Sequence, residues 1–408
     1  MIHMQQNLID FHKYNISYQI GNVDIMKEVQ EVLALQPFDE KIVNFLNIIS
    51  KKLLTDQEAK IYPDVITLAF WMRRASVEEI KKRFCGESKN IYKMGRGVVF
   101  HIAPSNVPVN YAYSLVSGLL CGNANVVRIP SKDFPQVRII NRAICNALNE
   151  CPEMIPYVVL VKYGHDNSIN DVFSAIADIR IVWGGDATIA ELRKSPLKPR
   201  ATEITFADRY SLSVIDADVY LKMDNKTVIA NQFYNDTYLT DQNACTSPRI
   251  VVWTGENISE AKELFWGELH RIVETKYELH GVQAVNKLTS AYILSVVQND
   301  VKKVKMQDNL IVRMQVKKVS SDLMKFKDNS GYFFEYDCKN IIELKELCND
   351  IQCQTLSYIG NPRSFLPLLQ SGIKGVDRIV PVGKTMDFDF IWDGYDLFER
   401  MTRNISIQ

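Results

Sequence analysis

Short apolar runs alternate with stretches whose apolar residues recur every three or four positions along most of this chain. "RGVVFHIA" (96–103), "NVVRIP" (125–130), "YVVLVKY" (157–163) and "DIRIVW" (178–183) are brief, rich in β-branched residues and bounded by turn residues, so they predict buried strands. Between them "VNYAYSLVSGLLCG" (109–122), "QVRIINRAICNALNE" (136–150), "SINDVFSAIA" (168–177) and "DATIAELRKS" (186–195) predict helices, the last with Asp186 as candidate N-cap. Strands separated by helices of this length imply parallel βαβ units in a doubly wound sheet.

The theme continues with a strand at "YSLSVID" (210–216) and a helix to about Tyr238. After a strand at "RIVVW" (249–253), long helices run from Ser259 to about Val297. Four more strands follow at "NLIVRMQV", "GYFFEYD", "CQTLSYIG" and "DRIVPVG". Residues 1–90 read as mainly helical, with "NFLNIISKKLL" (44–54) and "DVITLAFWMRRASVEEIKKRF" (64–84) as amphipathic helices. No internal repeat or low-complexity linker interrupts the pattern. The expected division is an N-terminal helical segment (1–90), a cofactor-type α/β domain (91–215), a second α/β domain (216–380) and a C-terminal segment (381–408). That last segment is expected to return to the first domain or to an oligomer interface.

Composition narrows the function. Lys plus Arg and Asp plus Glu both number 48, so no global basic face for nucleic acid exists. The eight cysteines are spread without a C-x-x-C pair, which suggests reduced thiols in a cytoplasmic protein and no zinc cluster. The N-terminal "MIHMQQNLIDFHKYNI" has no signal-peptide pattern. The uncharged stretch between Arg96 and Arg128 is long enough to cross a bilayer. It contains Pro104, Asn106, Pro108, Asn110, Asn123 and Asn125, too many breaks and amides for lipid, so no membrane span is expected.

Four stretches offer chemistry. In "PSNVP" (104–108), an asparagine fixed between two prolines at a strand end can aim its amide at a developing oxyanion. In isolation the segment reads as an ordinary turn. "VWGGDATIAEL" (182–192) places two glycines where a backbone can approach a phosphate, and a structural turn explains them equally well. "RIPSKD" (128–133) carries Arg128 and Lys132 just after a strand, either as solvated charges or as partners of a phosphate. In "DQNACTSPRIVVW" (241–253), Cys245 is either a buried filler or a loop nucleophile. His101, inside an apolar strand, reads as a satisfied core residue.

The order of these segments resembles the aldehyde dehydrogenase superfamily, in which a P-x-N-x-P loop, a "GN-x-VV" strand, an "F-T-G-S" turn and a loop cysteine follow one another. "NACTSPR" and the tail "VDRIVPVG…IWDGYDLFERMTR" are similar to the LuxC-type acyl-CoA reductases. The resemblance implies an aldehyde-dehydrogenase-like fold, a Rossmann-type cofactor domain plus a second α/β catalytic domain. It implies Cys245 as nucleophile, with Asn106 and the backbone N–H of Cys245 as oxyanion donors. Pro104, Ser105, Arg128, Ser131, Lys132, Trp183, Gly184, Gly185 and Asp186 fall at cofactor-binding positions. Many relatives carry Ala-Glu where this chain has Ser131-Lys132; a glutamate there repels a 2′-phosphate and a lysine attracts it, which favours NADPH over NADH. The general-base glutamate of the hydrolytic members has no counterpart in "FADRYS" (206–211), and Glu203 is the nearest carboxylate. Asp186 stands where a phosphate-contacting serine is usual.

The expected activity is therefore NADPH-dependent reduction of an acyl thioester to the aldehyde through an acyl-cysteine. The acyl group would come from acyl-CoA or from a partner acyl-activating synthetase, and the protein would be a homo-oligomer. The alternatives are a CoA-acylating aldehyde dehydrogenase acting on shorter aldehydes and an acyl-carrier subunit without reductase activity.

Overall fold

The computed structural model describes residues 8–86 and 90–408. The first seven residues of the N-terminal stretch read above for a signal peptide lie outside them. Two compact units emerge. Unit one runs to Ala207 and takes in Tyr395–Gln408, and unit two is Asp208–Gly394.

Unit one is built on a six-stranded sheet. Its strands are β1 (Ser17–Ile20), β3 (Val98–Ile102), β4 (Ala124–Arg128), β5 (Val158–Lys162), β6 (Ile179–Trp183) and β7 (Thr202–Phe206), in the spatial order β1-β5-β4-β3-β6-β7. All pairings are parallel except β1 with β5. A separate ribbon pairs β2 (Ile91–Gly95) with the C-terminal strand Thr402–Ser406. Every residue of β3 and β6 is buried, which explains their unbroken apolar runs: a parallel strand covered on both faces shows no alternation. The edge strands β1 and β7 are half-exposed and carry no such run, so the apolar pattern does not mark them.

Unit two holds a seven-stranded sheet. It comprises β8 (Tyr210–Asp216), β9 (Pro248–Thr254), β10 (Val301–Lys303), β11 (Val312–Val316), β12 (Tyr332–Asp337), β13 (Cys353–Ile359) and β14 (Arg378–Pro381), in the order β10-β11-β12-β9-β8-β13-β14. Only β10 is antiparallel to its neighbour. Leu212, Val214, Ile250, Val252 and Phe334 pack on one face, and Ile215, Val251, Trp253 and Phe333 on the other.

The segment 64–84, expected as one helix, is two: Pro63–Trp71 and Arg74–Phe84. The apolar positions explain the break. Val65, Leu68, Ala69 and Met72 hold helical spacing, but the next buried residue, Val77, comes five positions later. Five residues rotate a helix by about 500°, so a continuous helix would turn Val77 off the buried stripe. The chain instead resets at Arg73, which has extended backbone angles (φ −61°, ψ 144°). The Phe70 carbonyl then accepts from Arg73 N at 3.3 Å and from Ser76 Oγ at 2.9 Å. The helix expected between Asp216 and Tyr238 is likewise two, Ala217–Lys222 and Lys226–Thr237, because Asn225 caps the second through Val228 N. Among the described residues no helix is long and apolar enough to cross a membrane.

Candidate active site

In unit one the chain passes from β3 to β4 and β5 on one side, then returns to place β6 and β7 on the other. The connections leaving β3 and β6 therefore diverge, and such a switch point at the carboxyl ends of parallel strands opens a ligand crevice. Pro104, Ser105 and Asn106 follow β3, and Trp183, Gly184, Gly185 and Asp186 end or follow β6. Arg128 ends β4, with Ser131 and Lys132 just beyond it. The fold thus gathers all these residues at one end of one sheet.

Trp183 is anchored from below. Its ring stacks on Phe206 with centroids 3.6 Å apart. Its Nε1–H donates to Ser114 Oγ at 3.1 Å. Ser114 lies 2.7 Å from His101 Nδ1, and His101 Nε2 lies 2.9 Å from Asn125 Oδ1. Asn125 Nδ2 donates to the Asn123 carbonyl, so Oδ1 is the acceptor that faces the imidazole. Nε2 must then carry the proton, Nδ1 accepts from the Ser114 hydroxyl, and Ser114 is free to accept from Trp183. Burial pushes the His101 pKa down to about 4, which keeps the ring neutral and this chain of donors intact. His101 is the satisfied core residue its apolar strand suggests.

Gly184 sits where a Cβ would come within 3.2 Å of the Thr188 side chain. The helix Asp186–Leu192 takes Gly185 as its N-cap, so Asp186, expected as the cap, is the first helical residue and is exposed. A backbone cap suffices here because the Gly185 carbonyl accepts from Ile189 N at 3.1 Å. Arg128 donates to the carbonyls of Tyr163 (3.3 Å) and Gly164 (3.2 Å) and lies over the Tyr163 ring. Ser105, Asn106, Ser131 and Lys132 are exposed, and Lys132 has no anionic partner among the described residues. An exposed cation, free hydroxyls and a glycine pair beside a switch point fit a phosphorylated dinucleotide. Asp186 is the exception, since its carboxylate repels a pyrophosphate.

Glu203 lies in the first half of β7, away from that end of the sheet. Both its oxygens are taken: Oε1 accepts from Arg180 (3.0 and 2.6 Å) and Oε2 from Arg193 (2.7 Å). Arg180 is itself buried and also donates to Ser174 Oγ and the Ser195 carbonyl.

Cys245 belongs to unit two, on the loop that leads into β9. Two successive non-glycine residues, Asp241 (φ 53°) and Gln242 (φ 59°), adopt left-handed backbone there. That conformation costs of order 1–3 kcal/mol per residue and persists only where surroundings enforce it. The Gln242 amide supplies the enforcement. Fully buried, it donates to the Pro248 and Tyr332 carbonyls (2.9 and 3.1 Å) and accepts from Gly331 N and Tyr332 N (3.0 and 3.1 Å). Arg249 donates to the Gln242 and Asp328 carbonyls at 2.7 Å each, and Tyr277 donates to Asp241 Oδ1. Farther along the loop, Ser211 Oγ donates to the Cys245 carbonyl at 2.7 Å and accepts from Thr355 N at 3.3 Å.

Cys245 is partly exposed. Burial of the thiol and the Asp393 carboxylate push its pKa up to about 12, opposed by the backbone amides of Cys245 and Thr246 and by the Arg209 guanidinium. The resting group is therefore the neutral thiol. Arg209, Ser211, Gln354 and Asp393 surround this chemistry, and sequence reasoning assigned none of them a role. Two signals were present: Arg209 and Ser211 lie in "FADRYS", where the absent glutamate was sought, and Asp393 lies in the "IWDGYD" tail.

The family model for acyl-CoA reductase (LuxC) matches residues 24–280. The chain is 27% identical over 179 residues to a long-chain acyl-protein thioester reductase of Aliivibrio fischeri, covering 43% of this chain and 35% of that one. It is 24% identical over 178 residues to its Photobacterium phosphoreum namesake, covering 43% and 34%. The match thus spans about a third of the length of these relatives. Solved structures of similar fold include 3,6-anhydro-L-galactose dehydrogenase (TM-score 0.64, 13% identity, 98% and 97% of the two chains). The NADP-dependent glyceraldehyde-3-phosphate dehydrogenase of Bacillus halodurans is another (TM-score 0.62, 15% identity, 97% and 95%). The fold is therefore that of the aldehyde dehydrogenases.

Proposed function

This chain belongs to the acyl-CoA reductase (LuxC) family, and from that premise we propose that it reduces an acyl thioester to the aldehyde through an acyl group carried on Cys245. The observation that carries the reading is the Cys245 loop: a strained turn pinned by the buried Gln242 amide, with the Cys245 carbonyl tied to Ser211 Oγ. The Thr246 amide and the Arg209 guanidinium favour the thiolate as it forms.

The Cys245 sulfur attacks the carbonyl of the donor thioester. Asn106 and the Cys245 N–H are the assigned oxyanion donors, worth together several kcal/mol if each contributes the usual 10²–10³ in rate. The donor thiol departs and leaves an acyl-cysteine. NADPH, when bound, supplies the hydride that takes the acyl group to the aldehyde. Ser105, Ser131, Lys132, the Trp183–Gly185 turn and Pro104 are the residues assigned to hold it, with Lys132 matched to a 2′-phosphate and Arg128 assisting. No glutamate stands in "FADRYS" to activate water, and both oxygens of Glu203 are occupied by arginines, so acyl transfer to a thiol is favoured over hydrolysis. The donor is an acyl-CoA or a partner protein's acyl thioester.

Intact-mass measurement tests the reading. The protein is mixed with acyl-CoAs of graded length and then with NADPH. An adduct on Cys245 that disappears with NADPH and releases aldehyde is expected, as is its absence in Cys245→Ala. An adduct that persists with NADPH would instead support the acyl-carrier alternative, and uptake by Cys245→Ala would remove Cys245 from the mechanism.

A further inference from the structure

Strand β8 is flanked by irregular registers on both sides, and both fall at Ser211. Between β8 and β13 the pairing shifts from Tyr210↔Cys353 to Leu212↔Leu356, so Gln354 and Thr355 together face the single residue Ser211. Between β8 and β9 it shifts from Ser211↔Pro248 to Leu212↔Ile250, leaving Arg249 as the extra residue. Bulges of this kind re-aim side chains beside active sites. Their effect here can be read from the core. Cys353 and Leu356 pack in the same cluster as Leu212, although strict alternation would put them on opposite faces. Gln354 and Thr355 therefore both sit on the Ser211 side, the side that ties down the Cys245 carbonyl.

The re-aimed Gln354 is fully buried, and its Nε2 donates to Asp393 Oδ1. Asp393 is buried as well, at 5% exposure, with left-handed backbone (φ 51°). Its other carboxylate oxygen takes no hydrogen bond from the described residues. The charged groups bearing on the Cys245 thiol are Asp393, Arg209, Arg249 and Arg378. Guanidinium groups cannot accept a proton. The two arginines nearest in effect to the carboxylate are also engaged elsewhere, Arg209 with Asp377 at 2.7 Å and Arg378 with the carbonyls of Thr385 and Asp387.

Resting on the reading of Cys245 as nucleophile, we propose that Asp393 is the proton acceptor for its thiol and that Gln354 is the positioning residue that holds Asp393 in place. As the sulfur–carbon bond to the donor carbonyl forms, the S–H bond breaks and the proton passes to the free Asp393 oxygen. The carbonyl π pair moves to oxygen. When the tetrahedral adduct collapses, the carbon–sulfur bond to the donor breaks and Asp393 returns the proton to the departing thiolate. The exchange is acyl transfer without oxidation or reduction. The assignment supplies a base where "FADRYS" lacks one, from the opposite end of the unit's sequence.

Burial, with the neighbouring Asp377 in the same sense, pushes the Asp393 pKa up to about 7, opposed by Arg209 and Arg378. A carboxylate so placed accepts protons efficiently near neutral pH. The thiol, up at about 12, keeps its proton until the acyl carbon arrives.

The test compares two reactions of Cys245 across pH 5.5 to 9.5: acylation by decanoyl-CoA, read by intact mass, and alkylation by iodoacetamide. Asp393→Asn keeps the hydrogen bond from Gln354 and suits a left-handed backbone, so the fold is expected to survive. In the unsubstituted protein, acylation should rise through a midpoint near pH 7. In Asp393→Asn that midpoint should vanish, and acylation at pH 7.5 should fall by about 10²–10⁴. Alkylation at pH 9 should become faster, because a negative charge that opposes the thiolate is gone. Gln354→Leu removes a donor that favours the carboxylate, so its acylation midpoint should move to higher pH. A parallel fall of both reactions in Asp393→Asn, or unchanged acylation, would overturn the proposal. Failure of the unsubstituted protein to acylate while Cys245 still alkylates would instead overturn the nucleophile reading on which it rests.

Discussion

The strand ends of unit one and the cysteine loop of unit two are both candidate reactive regions, but they are held in place differently. In unit one the residues of interest are short excursions from adjacent strands. Ser105, Asn106, Ser131, Lys132 and Asp186 are exposed, and they owe their positions to the strands β3, β4 and β6 that precede them. In unit two, many of the side-chain bonds that shape the loop come from far along the chain. Gln242 reaches Tyr332, Arg249 reaches Asp328, Ser211 links Cys245 to Thr355, and Gln354 reaches Asp393. One region is local sequence placed on a rigid frame. The other is a set of long-range ties around a strained turn. It follows that substitutions in the first should alter function with little effect on folding, and those in the second should alter both.

Gln242→Ala gives the largest expected effect. It leaves two buried N–H groups and two buried carbonyls short of a partner, removes packed volume, and releases a left-handed turn. We expect at least about 3 kcal/mol of lost stability, since each orphaned buried group costs about 1–3 kcal/mol. Urea unfolding followed by tryptophan fluorescence measures it. A loss below 1 kcal/mol would mean that the turn holds itself, and the contrast between the units would weaken.

Asn106→Ala is the matching substitution in unit one. Its side chain is exposed and bonded to no other side chain of the described residues, so stability should change by less than about 0.5 kcal/mol. Reductive turnover should nevertheless fall by about 10²–10³, the cost of one oxyanion donor. Near-normal turnover would withdraw Asn106 from the mechanism. A stability loss approaching that of Gln242→Ala would break the distinction between the two regions.

The same distinction explains what the amino-acid sequence discloses. Parallel strands buried along all or nearly all their length, such as β3, β6 and β9, announce themselves as apolar runs, and the helices between them by their spacing. Half-exposed edges do not: β1 alternates poorly, and "TEITF" of β7 carries two threonines and the paired Glu203. The segments that follow β3, β4 and β6 are legible because each sits a few residues beyond a legible strand. Cys245 is legible for the same reason, from the run that follows it. Its surroundings are not, because Ser211, Gln354 and Asp393 meet only through strand pairing and two register shifts. A bulge depends on which residues face each other across strands, and neither strand carries that information alone. Glu203 shows the converse: a carboxylate near the right place in sequence proves to be held by Arg180 across a strand pair.

The smallest expected effect concerns Lys132, and it examines the proposed cofactor preference directly. An exposed ammonium with no anionic partner among the described residues has high-dielectric surroundings, so its attraction for a phosphate a few ångströms away is worth about 1 kcal/mol. Lys132→Glu replaces that attraction by a repulsion of similar size. The KM for NADPH should therefore rise by about 10-fold or somewhat more, since 1.4 kcal/mol is a factor of ten. The KM for NADH, which has no 2′-phosphate, should change little or fall if the glutamate bonds the free ribose hydroxyl. Salt provides an internal check. Screening lengths shrink from about 30 Å at 0.01 M to about 3 Å at 1 M, so the NADPH preference of the unsubstituted protein should diminish as salt is raised. Because the residue stands on an exposed loop, its unfolding curve should match that of the unsubstituted protein. A preference indifferent to both Lys132→Glu and salt would mean that the 2′-phosphate is read by buried groups, and the strand ends of unit one would then be built more like the cysteine loop than their exposure indicates.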